Sequence, residues 1–410
     1  MAVTYRLNGA TTTEREHTVP LDHTVPDRGT ITVFTREIAA VDGDDRPYLL
    51  FLQGGPGHEA TRPTSPPSGW MKRALQDYRV MLIDQRGVGR STPVGPRIPG
   101  ETPEAQAEYL THFRADSIVR DAELIRQELG VQRWSILGQS FGGFCSMTYL
   151  SIAPQGLREA LITGGLSPIG RPVDDVYRAT WARTLLKNRE YFERYPEDRS
   201  RAREIFGRLD AEDMRLPSGD RLTSRRFRQM GGWLGDSAGF EKLHHLLELP
   251  LGSSAFLHDA ETGAMTFTRN PIYATLHESS YADGVATRWS AARLMPGEID
   301  AEGLFSAEHV FPWMFEDYGW LRPQREAAEI LAEHDWPRLY DTEVLRQNVV
   351  PVAATIYVND LYVERAFAEE TAATIRGLKP WITDEFEHNG LRADGDRVLG
   401  RLIDLVRGRA

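Results

Sequence analysis

Short unbroken runs of apolar residues recur through the first part of the chain, separated by a helical pattern and glycine-rich turns. Such runs are typical of central strands in a parallel sheet, which are buried on both faces. They occupy residues 47–52, 79–84, 134–137 and 157–163. Between the second and third runs, residues 117–129 repeat apolar side chains at helical spacing, and Gly130 fits the end of that helix. The alternation predicts an α/β fold with a mostly parallel sheet and right-handed crossovers.

Three further segments belong to the same sheet-forming part. Residues 29–38 largely alternate apolar and polar side chains, which predicts an exposed antiparallel strand. Apolar runs return at residues 350–358 and 380–386, and residues 394–407 have the spacing of a closing amphipathic helix. The C-terminal ends of parallel strands share one edge of a sheet, so the loops after these strands are expected to meet there.

The segment between the sheet-forming parts has a different pattern. Residues 168–345 are rich in charged and aromatic side chains at helical spacing and contain no comparable apolar run. This pattern predicts a helical domain inserted into the sheet-forming domain. The predicted division is therefore an α/β core of residues 1–167 and 346–410, with the helical domain at residues 168–345.

The composition is that of a globular protein, with 41% hydrophobic and 26% charged residues. A formal net charge of −11 argues against nucleic-acid or membrane partners. The single cysteine, Cys145, permits no intrachain disulfide and indicates a reducing compartment. The first residues lack the apolar core of a signal peptide, and no apolar run approaches the roughly 18 residues of a membrane span. We therefore predict a cytoplasmic protein.

A Gly-x-Ser-x-Gly pattern at residues 138–142 stands between a predicted strand and an apolar helix. In that context it is the pattern of a nucleophile elbow, a turn so sharp that only glycine fits beside the serine. Ser140 is then the candidate nucleophile, with its hydroxyl above the sheet edge. An ordinary strand-to-helix turn is the alternative, so the interpretation depends on partners elsewhere in the chain.

The partners of such a serine are an acid and then a histidine, in that order along the chain. Asp360 follows the strand predicted at 350–358, and His388 follows the strand at 380–386. Each has a plainer alternative, a polar turn for Asp360 and an exposed loop for His388. Of 11 histidines, His388 alone ends a late core-type strand, so we predict a Ser140–Asp360–His388 triad.

An acyl-transfer site also needs two backbone N–H groups directed at the oxyanion. One is expected from Phe141, the residue after the nucleophile, and the other from a loop after an early strand. The loop Gly54-Gly55-Pro56-Gly57 follows the strand at residues 47–52 and lets the backbone approach the reacting centre. We predict Gly54, Gly55 and Phe141 as the oxyanion hole, with a plain tight turn as the alternative for the glycines.

Three motifs together resemble the proline iminopeptidases, a family of α/β hydrolases. They are Gly54-Gly55-Pro56-Gly57, Asp84-Gln85-Arg86-Gly87-Val88-Gly89-Arg90-Ser91 and Gly138-Gln139-Ser140-Phe141-Gly142-Gly143. The resemblance implies an α/β-hydrolase fold whose inserted helical domain forms a cap over the triad. It also implies release of an N-terminal residue, preferably proline, from short peptides with a free amino terminus, without a metal or other cofactor.

The family's cap glutamates bind the free amino group of the substrate, and this role can be carried over by position. Glu278 matches best and Glu308 second, with Glu316 in reserve, although each would otherwise be an ordinary solvated carboxylate. Cap aromatics are expected to enclose a pyrrolidine ring, with packing inside the cap as the alternative. The candidates are Phe311, Trp313, Phe315, Tyr318 and Trp320.

The function predicted is therefore a serine aminopeptidase that releases N-terminal proline, or a similar residue, through an acyl-enzyme. The same triad under a different cap would serve an esterase, a lactonase or an amidase acting on a small non-peptide substrate. A non-catalytic ligand-binding relative is the third hypothesis. The side chains of Gln53, Gln139 and Phe141 border the predicted pocket and differ from those of many family members, so they leave the substrate preference open.

Overall fold

The computed structural model describes residues 2–7, 9–263 and 267–409. Within them, nine strands form one sheet in the order β1-β2-β3-β5-β4-β6-β7-β8-β9. The strands are β1 (Val3–Leu7), β2 (Ala10–Pro20), β3 (Thr30–Ala40), β4 (Tyr48–Leu52), β5 (Arg79–Asp84), β6 (Trp134–Gln139), β7 (Leu157–Thr163), β8 (Val352–Tyr357) and β9 (Leu378–Thr383). The first three strands are antiparallel to their neighbours, and the pairs from β5 to β9 are all parallel. The predicted mostly parallel sheet is confirmed.

The sheet is covered on both faces, which explains its unbroken apolar runs. Leu49 and Phe51 of β4 pack into one apolar cluster, while Leu50 and Leu52 pack into another. Successive side chains of a strand point to opposite faces, so a strand between two helical layers must be apolar at every position.

Eighteen α-helices are found among the described residues. In order they are α1 (Gly69–Asp77), α2 (Pro103–Thr111), α3 (Ala115–Glu128), α4 (Phe141–Ile152), α5 (Val173–Arg194), α6 (Asp198–Ala211), α7 (Ser224–Phe227), α8 (Gly239–Glu248), α9 (Ser254–Thr262), α10 (Pro271–Leu276), α11 (Ser290–Arg293), α12 (Glu298–Ala301), α13 (Met314–Asp317), α14 (Arg325–Ala332), α15 (Thr342–Arg346), α16 (Arg365–Thr374), α17 (Gly390–Ala393) and α18 (Gly395–Val406). Helices α1 and α18 cover one face of the sheet, and α3 and α4 cover the other. No helix in the described ranges has the length and apolarity needed to cross a membrane.

Strand β3 corrects the expectation of an exposed strand at residues 29–38. It lies between β2 and β5, and most of its side chains are buried, the polar ones included. Arg36 pairs with Glu14 of β2 at 2.8 Å, and Glu37 pairs with Arg15 of β2 at 2.9 Å. The polar positions in its alternating pattern therefore mark charges that are paired across strands, not side chains that face water.

Helices α5 to α15 follow β7 and precede β8 in the chain. Their apolar side chains, such as Trp181 and Phe305, share one cluster with Val88 and Phe113 from the loops above β5 and α2. Between residues 168 and 345, the described residues contribute no strand to the sheet, and their β-type pairing is the isolated bridge between Arg215 and Arg221. A 3₁₀ segment, Arg228–Gly235, lies between α7 and α8 and contributes to the site described next.

Candidate active site

Ser140 lies at the turn between β6 and α4, in a backbone conformation that residues other than glycine rarely adopt, with φ +56° and ψ −123°. A hydrogen bond of 3.0 Å from the Ser140 N–H to the carbonyl oxygen of Thr163 joins the turn to the end of β7. A Cβ on Gly142 would overlap the carbonyl oxygen of Leu52, and a Cβ on Gly138 would overlap that of Gly142. Both flanking positions therefore accept only glycine, which is the requirement of a nucleophile elbow.

The structure brings Ser140, His388 and Asp360 into one chain of hydrogen bonds. His388 Nε2 lies 2.9 Å from Ser140 Oγ, and His388 Nδ1 lies 2.7 Å from Asp360 Oδ2. The second carboxylate oxygen of Asp360 accepts hydrogen bonds from the backbone N–H groups of Tyr362 and Val363, at 2.9 and 3.0 Å. Asp360 is thereby fixed from both sides, and it in turn fixes the imidazole ring.

The electrostatics of this chain favour a proton-accepting imidazole. Burial of His388 opposes its charged form, but the charge of Asp360 and the hydrogen bond to it raise the pKa of His388 above the usual value. Because Nδ1 faces the carboxylate of Asp360, the proton of the neutral ring belongs on Nδ1. Nε2 is then free to accept the hydrogen of the Ser140 hydroxyl.

Gly54 and Gly55 form the loop after β4, directly beside the elbow. A Cβ on Gly54 would stand only 3.1 Å from the Cβ of Ser140, which is tighter than an ordinary contact. The backbone of this loop therefore lies close against the serine. Gln85 donates a hydrogen bond from Nε2 to the carbonyl oxygen of Gln53, at 2.9 Å, and so fixes the start of the loop. Phe141 is the first residue of α4, where backbone N–H groups have no partner inside the helix.

A cavity of about 300 Å³ opens above Ser140. One part of its wall comes from the elbow, the Gly54 loop, the loops after β8 and β9, and α17. The other part comes from residues between α7 and α8, after α9 and before α13. The lining residues are Gln53, Gly54, Gly55, His58, Gln139, Ser140, Gly232, Trp233, Asp236, Gly263, Glu308, Tyr362, His388 and Arg392.

Glu308 is a carboxylate inside this cavity, as one of the two predicted glutamates was expected to be. The hydroxyl of Tyr273 donates a hydrogen bond to its Oε1. Burial raises the pKa of Glu308 to about 7, although the hydrogen bond from Tyr273 and the nearby His388 oppose the rise. A buried carboxylate with this pKa has a strong preference for a cationic partner.

Glu278, which the resemblance placed first of the two glutamates, lies outside this cavity. Its oxygens accept hydrogen bonds from the backbone N–H groups of Ser290 and Ala291, at 3.1 and 2.9 Å, at the start of α11. Burial raises its pKa to about 7 as well, but it is not among the residues that line the cavity. The backbone donors of α11 occupy the carboxylate that the sequence pattern offered for a substrate amine.

Trp313 is also outside the cavity wall. Its ring stacks on Phe311, with 5.4 Å between ring centroids, and the guanidinium of Arg225 lies 4.9 Å above it. Phe315 and Tyr318 are buried in the apolar cluster of the inserted helices, Trp320 is largely exposed, and Glu316 pairs with Arg225 and Arg325. The aromatic side chains that do line the cavity are Trp233 and Tyr362.

Several lining residues were missed by the sequence interpretation. Tyr362 and Arg392 stand two and four positions after Asp360 and His388, so closeness to the predicted triad was a usable signal for both. Trp233 and Asp236 come from the 3₁₀ segment and the turn after it, and no local pattern marks them. Their contact with the site arises from tertiary packing, as in the hydrogen bond from the Tyr362 hydroxyl to the carbonyl oxygen of Gly232.

The Asp84–Ser91 motif contributes to the structure around the site through Arg86. Arg86 is fully buried and donates to Asp121 from Nε and Nη2, at 2.7 and 2.6 Å, and to the carbonyl oxygens of Leu21 and His112 from Nη1. One guanidinium thus joins the end of β2, the end of α2 and the middle of α3. This explains why an arginine, with donors in several directions, stands at this turn.

Metal-ligand geometry occurs in the described residues only away from this cavity. His244 belongs to two neighbouring groups, one with His245 and Glu248 and one with Glu197 and Asp198. His244 Nδ1 is already 2.8 Å from Asp198 Oδ2, and its ring stacks on Tyr195, so a structural role accounts for it.

Comparison with known proteins agrees with this architecture. The family model for the alpha/beta hydrolase fold matches residues 47–264. A proline iminopeptidase from Aeromonas sobria is 48% identical, with 98% of each chain aligned. A proline iminopeptidase of Aspergillus aculeatus, aneH, is 32% identical over 97% of this chain and 94% of its own. A solved proline iminopeptidase from Mycobacterium smegmatis covers 96% of this chain and 98% of its own, at 12% identity and a TM-score of 0.49.

The family match spans more than half of this chain, and two relatives align over nearly its whole length. The chain belongs to the proline iminopeptidases, within the α/β-hydrolase family.

Proposed function

We propose that this protein is a serine aminopeptidase that releases N-terminal proline from short peptides through an acyl-enzyme. The observation that carries the proposal is the hydrogen-bonded chain Ser140–His388–Asp360, which opens on a cavity containing the carboxylate of Glu308. The names of the two relatives aligned over almost the whole chain support the same activity.

In the proposed reaction, Ser140 Oγ attacks the carbonyl carbon of the first residue while His388 Nε2 accepts the hydroxyl proton. Asp360 keeps the imidazole in the required tautomer and stabilises the imidazolium that forms. The N–H of Phe141 and an N–H of the Gly54-Gly55 loop stabilise the oxyanion. His388 then protonates the departing amine. In the second half of the reaction, water attacks the acyl-enzyme while His388 accepts its proton, and His388 then returns a proton to Ser140 Oγ as the free proline leaves.

Glu308 supplies the exopeptidase specificity in this proposal. Its carboxylate pairs with the cationic amine of the first residue, which fixes the scissile bond one residue from the amino terminus. A substrate with a blocked amine leaves the carboxylate buried and unpaired, and a site of this kind rejects such a substrate strongly. Glu308 takes this role in place of Glu278 because it lines the cavity.

We also propose that the protein acts in the cytoplasm as a serine peptidase that needs no cofactor. The single cysteine is what supports a reducing compartment. The class of peptidase follows from the proposed nucleophile.

The test compares arylamides of proline, alanine and N-acetylproline. We expect the proline arylamide to be cleaved fastest and the blocked substrate to be almost inert. Labelling of Ser140 by a fluorophosphonate, lost in Ser140→Ala, identifies the nucleophile. Equal cleavage of the blocked and free proline substrates would refute the amine anchor, and turnover of simple esters without any aminoacyl arylamide would refute the aminopeptidase.

A further inference from the structure

The opening of the cavity carries a cation that the proposed reaction does not use. Arg392 of α17 lines the cavity, yet its side chain is 58% exposed, so it stands at the rim while Glu308 lies inside. Its Nη2 donates to Asp236 Oδ1 at 3.0 Å. On the other side of Asp236, Lys242 Nζ lies 3.6 Å from Oδ2. The three side chains together carry a formal charge of +1.

The guanidinium of Arg392 is oriented but only partly used. Arginine has five N–H donors in a planar fork. Within the described chain, Asp236 is the side-chain partner that Arg392 has, and it accepts from a single nitrogen. The described residues offer the remaining guanidinium N–H groups of Arg392 no other hydrogen bond. A fork held on one side by a carboxylate presents its other side in a fixed direction, which suits two-point binding of a second carboxylate.

The charges around the cavity are therefore separated. Glu308, inside, is suited to a cation. Arg392 and Asp236 at the rim, together with Lys242 on the other side of Asp236, form a group with net positive charge. Arg392 is also close enough to act on the interior, because its charge is among those that oppose the burial-driven rise in the pKa of Glu308. A ligand with an ammonium group at one end and a carboxylate at the other matches this separation.

We propose that Arg392, oriented by Asp236, binds the C-terminal carboxylate of a short zwitterionic peptide while Glu308 binds its amino terminus. This inference rests on the proposed aminopeptidase function and adds a limit on substrate length. In a long peptide the chain continues where the carboxylate should be, and a neutral peptide group gains much less from the guanidinium.

The experiment compares Pro-Ala with its C-terminal amide and extends the acid–amide comparison to tripeptides and tetrapeptides. We expect the wild type to prefer one of the short free acids over its amide by about tenfold in kcat/KM, mostly through KM, as for one charge-assisted contact near a surface. In Arg392→Met the acid-to-amide ratio falls towards one, and Arg392→Lys recovers part of it. Arg346→Met is the matched control, because Arg346 of α15 is an arginine of similar exposure, 59%, that pairs with Glu343 and does not line the cavity, and its ratio stays at the wild-type value.

The kcat/KM of the peptide amide is measured in every variant, so that a general loss of activity cancels in the acid-to-amide ratio. High salt provides a second route that needs no variant, because it lowers the wild-type acid-to-amide ratio if a charge pair is responsible. A ratio near one in the wild type at every length, or a ratio retained in Arg392→Met, would overturn the inference. Proline arylamide has no carboxylate and therefore tests the proposed function separately. If it is cleaved but the peptides show no preference for the free acid, only the role of Arg392 is rejected. If it is not cleaved, the proposed function is rejected.

Discussion

Two carboxylates with different surroundings lie near His388. Asp360 is hydrogen-bonded to its Nδ1, and Glu308 is close enough for its charge to act on the ring. Asp360 has every oxygen occupied by donors from the protein. Among the described residues, Glu308 has one hydrogen-bond partner, the Tyr273 hydroxyl, and it lines the cavity. At the scale of single residues, the site therefore separates a carboxylate that serves the protein from one that is open to a ligand.

Replacement of Ser140 or His388 by alanine is expected to lower kcat by about 10⁴-fold or more, because residues of a triad act as a unit. The measurement is steady-state hydrolysis of proline arylamide. Ser151→Ala is a matched control on α4, since Ser151 is a buried serine whose hydroxyl donates only to the carbonyl oxygen of Met147. Near-normal turnover in Ser140→Ala would remove Ser140 from the mechanism.

The pH dependence of kcat/KM is expected to report two protons on its acid side. As pH falls through about 7, Glu308 becomes protonated and no longer pairs with the cationic amine. His388, whose pKa is raised by Asp360 against the effect of burial, becomes protonated over its own range and no longer accepts the serine proton. The logarithm of kcat/KM should approach a slope of about two below both pKa values, and Glu308→Gln should reduce that slope to about one.

Glu278→Gln is the matched control, because Glu278 is a buried glutamate whose pKa is also raised to about 7, yet it lies outside the cavity. We expect it to keep the wild-type slope and KM while losing stability, since a neutral amide accepts one backbone hydrogen bond in place of two. The same slope in wild type and Glu308→Gln would contradict the proposed amine anchor.

The sequence led to the three triad positions but not to the distinction between the two glutamates. Ser140, Asp360 and His388 each follow a strand, so their neighbourhood depends on sheet topology, which apolar runs reveal. Glu278 and Glu308 stand in irregular connections between short helices. Which of them faces a cavity depends on where backbone donors such as those of α11 come to lie, and no sequence period encodes that.

At the scale of elements, the elbow is a junction of four backbone segments packed without side chains. Gly142 lies against the end of β4, and Gly143 lies against Gly165 after β7. Because these backbone segments lie so close together, the loop that contains Gly54 and the helix that begins with Phe141 both lie beside Ser140. The precision of the site thus comes from backbone contacts between elements.

Gly142→Ala is expected to destabilise the protein by at least about 3 kcal/mol, because the new methyl group collides with a backbone oxygen that cannot turn away. Urea unfolding measures the change, and kcat should fall with it as the elbow distorts.

Gly207→Ala is the control, since Gly207 lies in α6, is exposed and has open space where a Cβ would stand. That variant should gain about 0.5–1 kcal/mol from the better helix propensity of alanine. An unchanged unfolding free energy in Gly142→Ala would show that the turn has more room than the structure indicates.

Most elements were predictable because burial on two faces leaves a clear trace. The strands at β4, β5 and β7 differ from their predicted bounds by at most one residue, and the helix predicted at 394–407 is α18. The exposure of β3 was predicted wrongly, since alternation of apolar and polar residues does not separate a solvent-facing charge from one paired across strands.

At the scale of the whole molecule, the inserted helices are held to the core beside the proposed base. Lys187 of α5 is buried and places Nζ 2.7 Å from Oε1 of Glu387, the residue before His388. Next to it, Ser237 donates from its hydroxyl to Asn389 Oδ1 at 2.7 Å, and the His388 N–H donates to the carbonyl oxygen of Gly235. The loop that carries His388 therefore takes its position from the inserted helices as well as from β9.

Lys187→Met is expected to destabilise the protein by about 2–3 kcal/mol at neutral pH, because it leaves the carboxylate of Glu387 largely buried without its cation. Burial already raises the pKa of Glu387, and Lys187 opposes that rise, so the variant's pKa lies higher still. A buried acid with a raised pKa loses stability as pH rises through that pKa, so the deficit should be larger at pH 8 than at pH 5.

Urea unfolding at the two pH values measures this difference. The double variant Lys187→Met with Glu387→Gln removes both charges and should recover part of the loss at pH 8. A deficit that is independent of pH would assign the effect to lost packing of the lysine stem.

The division of the triad along the chain has a consequence for biosynthesis. Ser140 and His388 are 248 positions apart, and all the inserted helices are translated between them. At about 5–20 residues per second, Ser140 is added to the chain roughly 10–50 s before His388. During that interval a folded elbow has neither proton acceptor nor orienting acid. A molecule of the proposed peptidase therefore lacks its complete triad until β8, β9 and the loop after β9 have been translated.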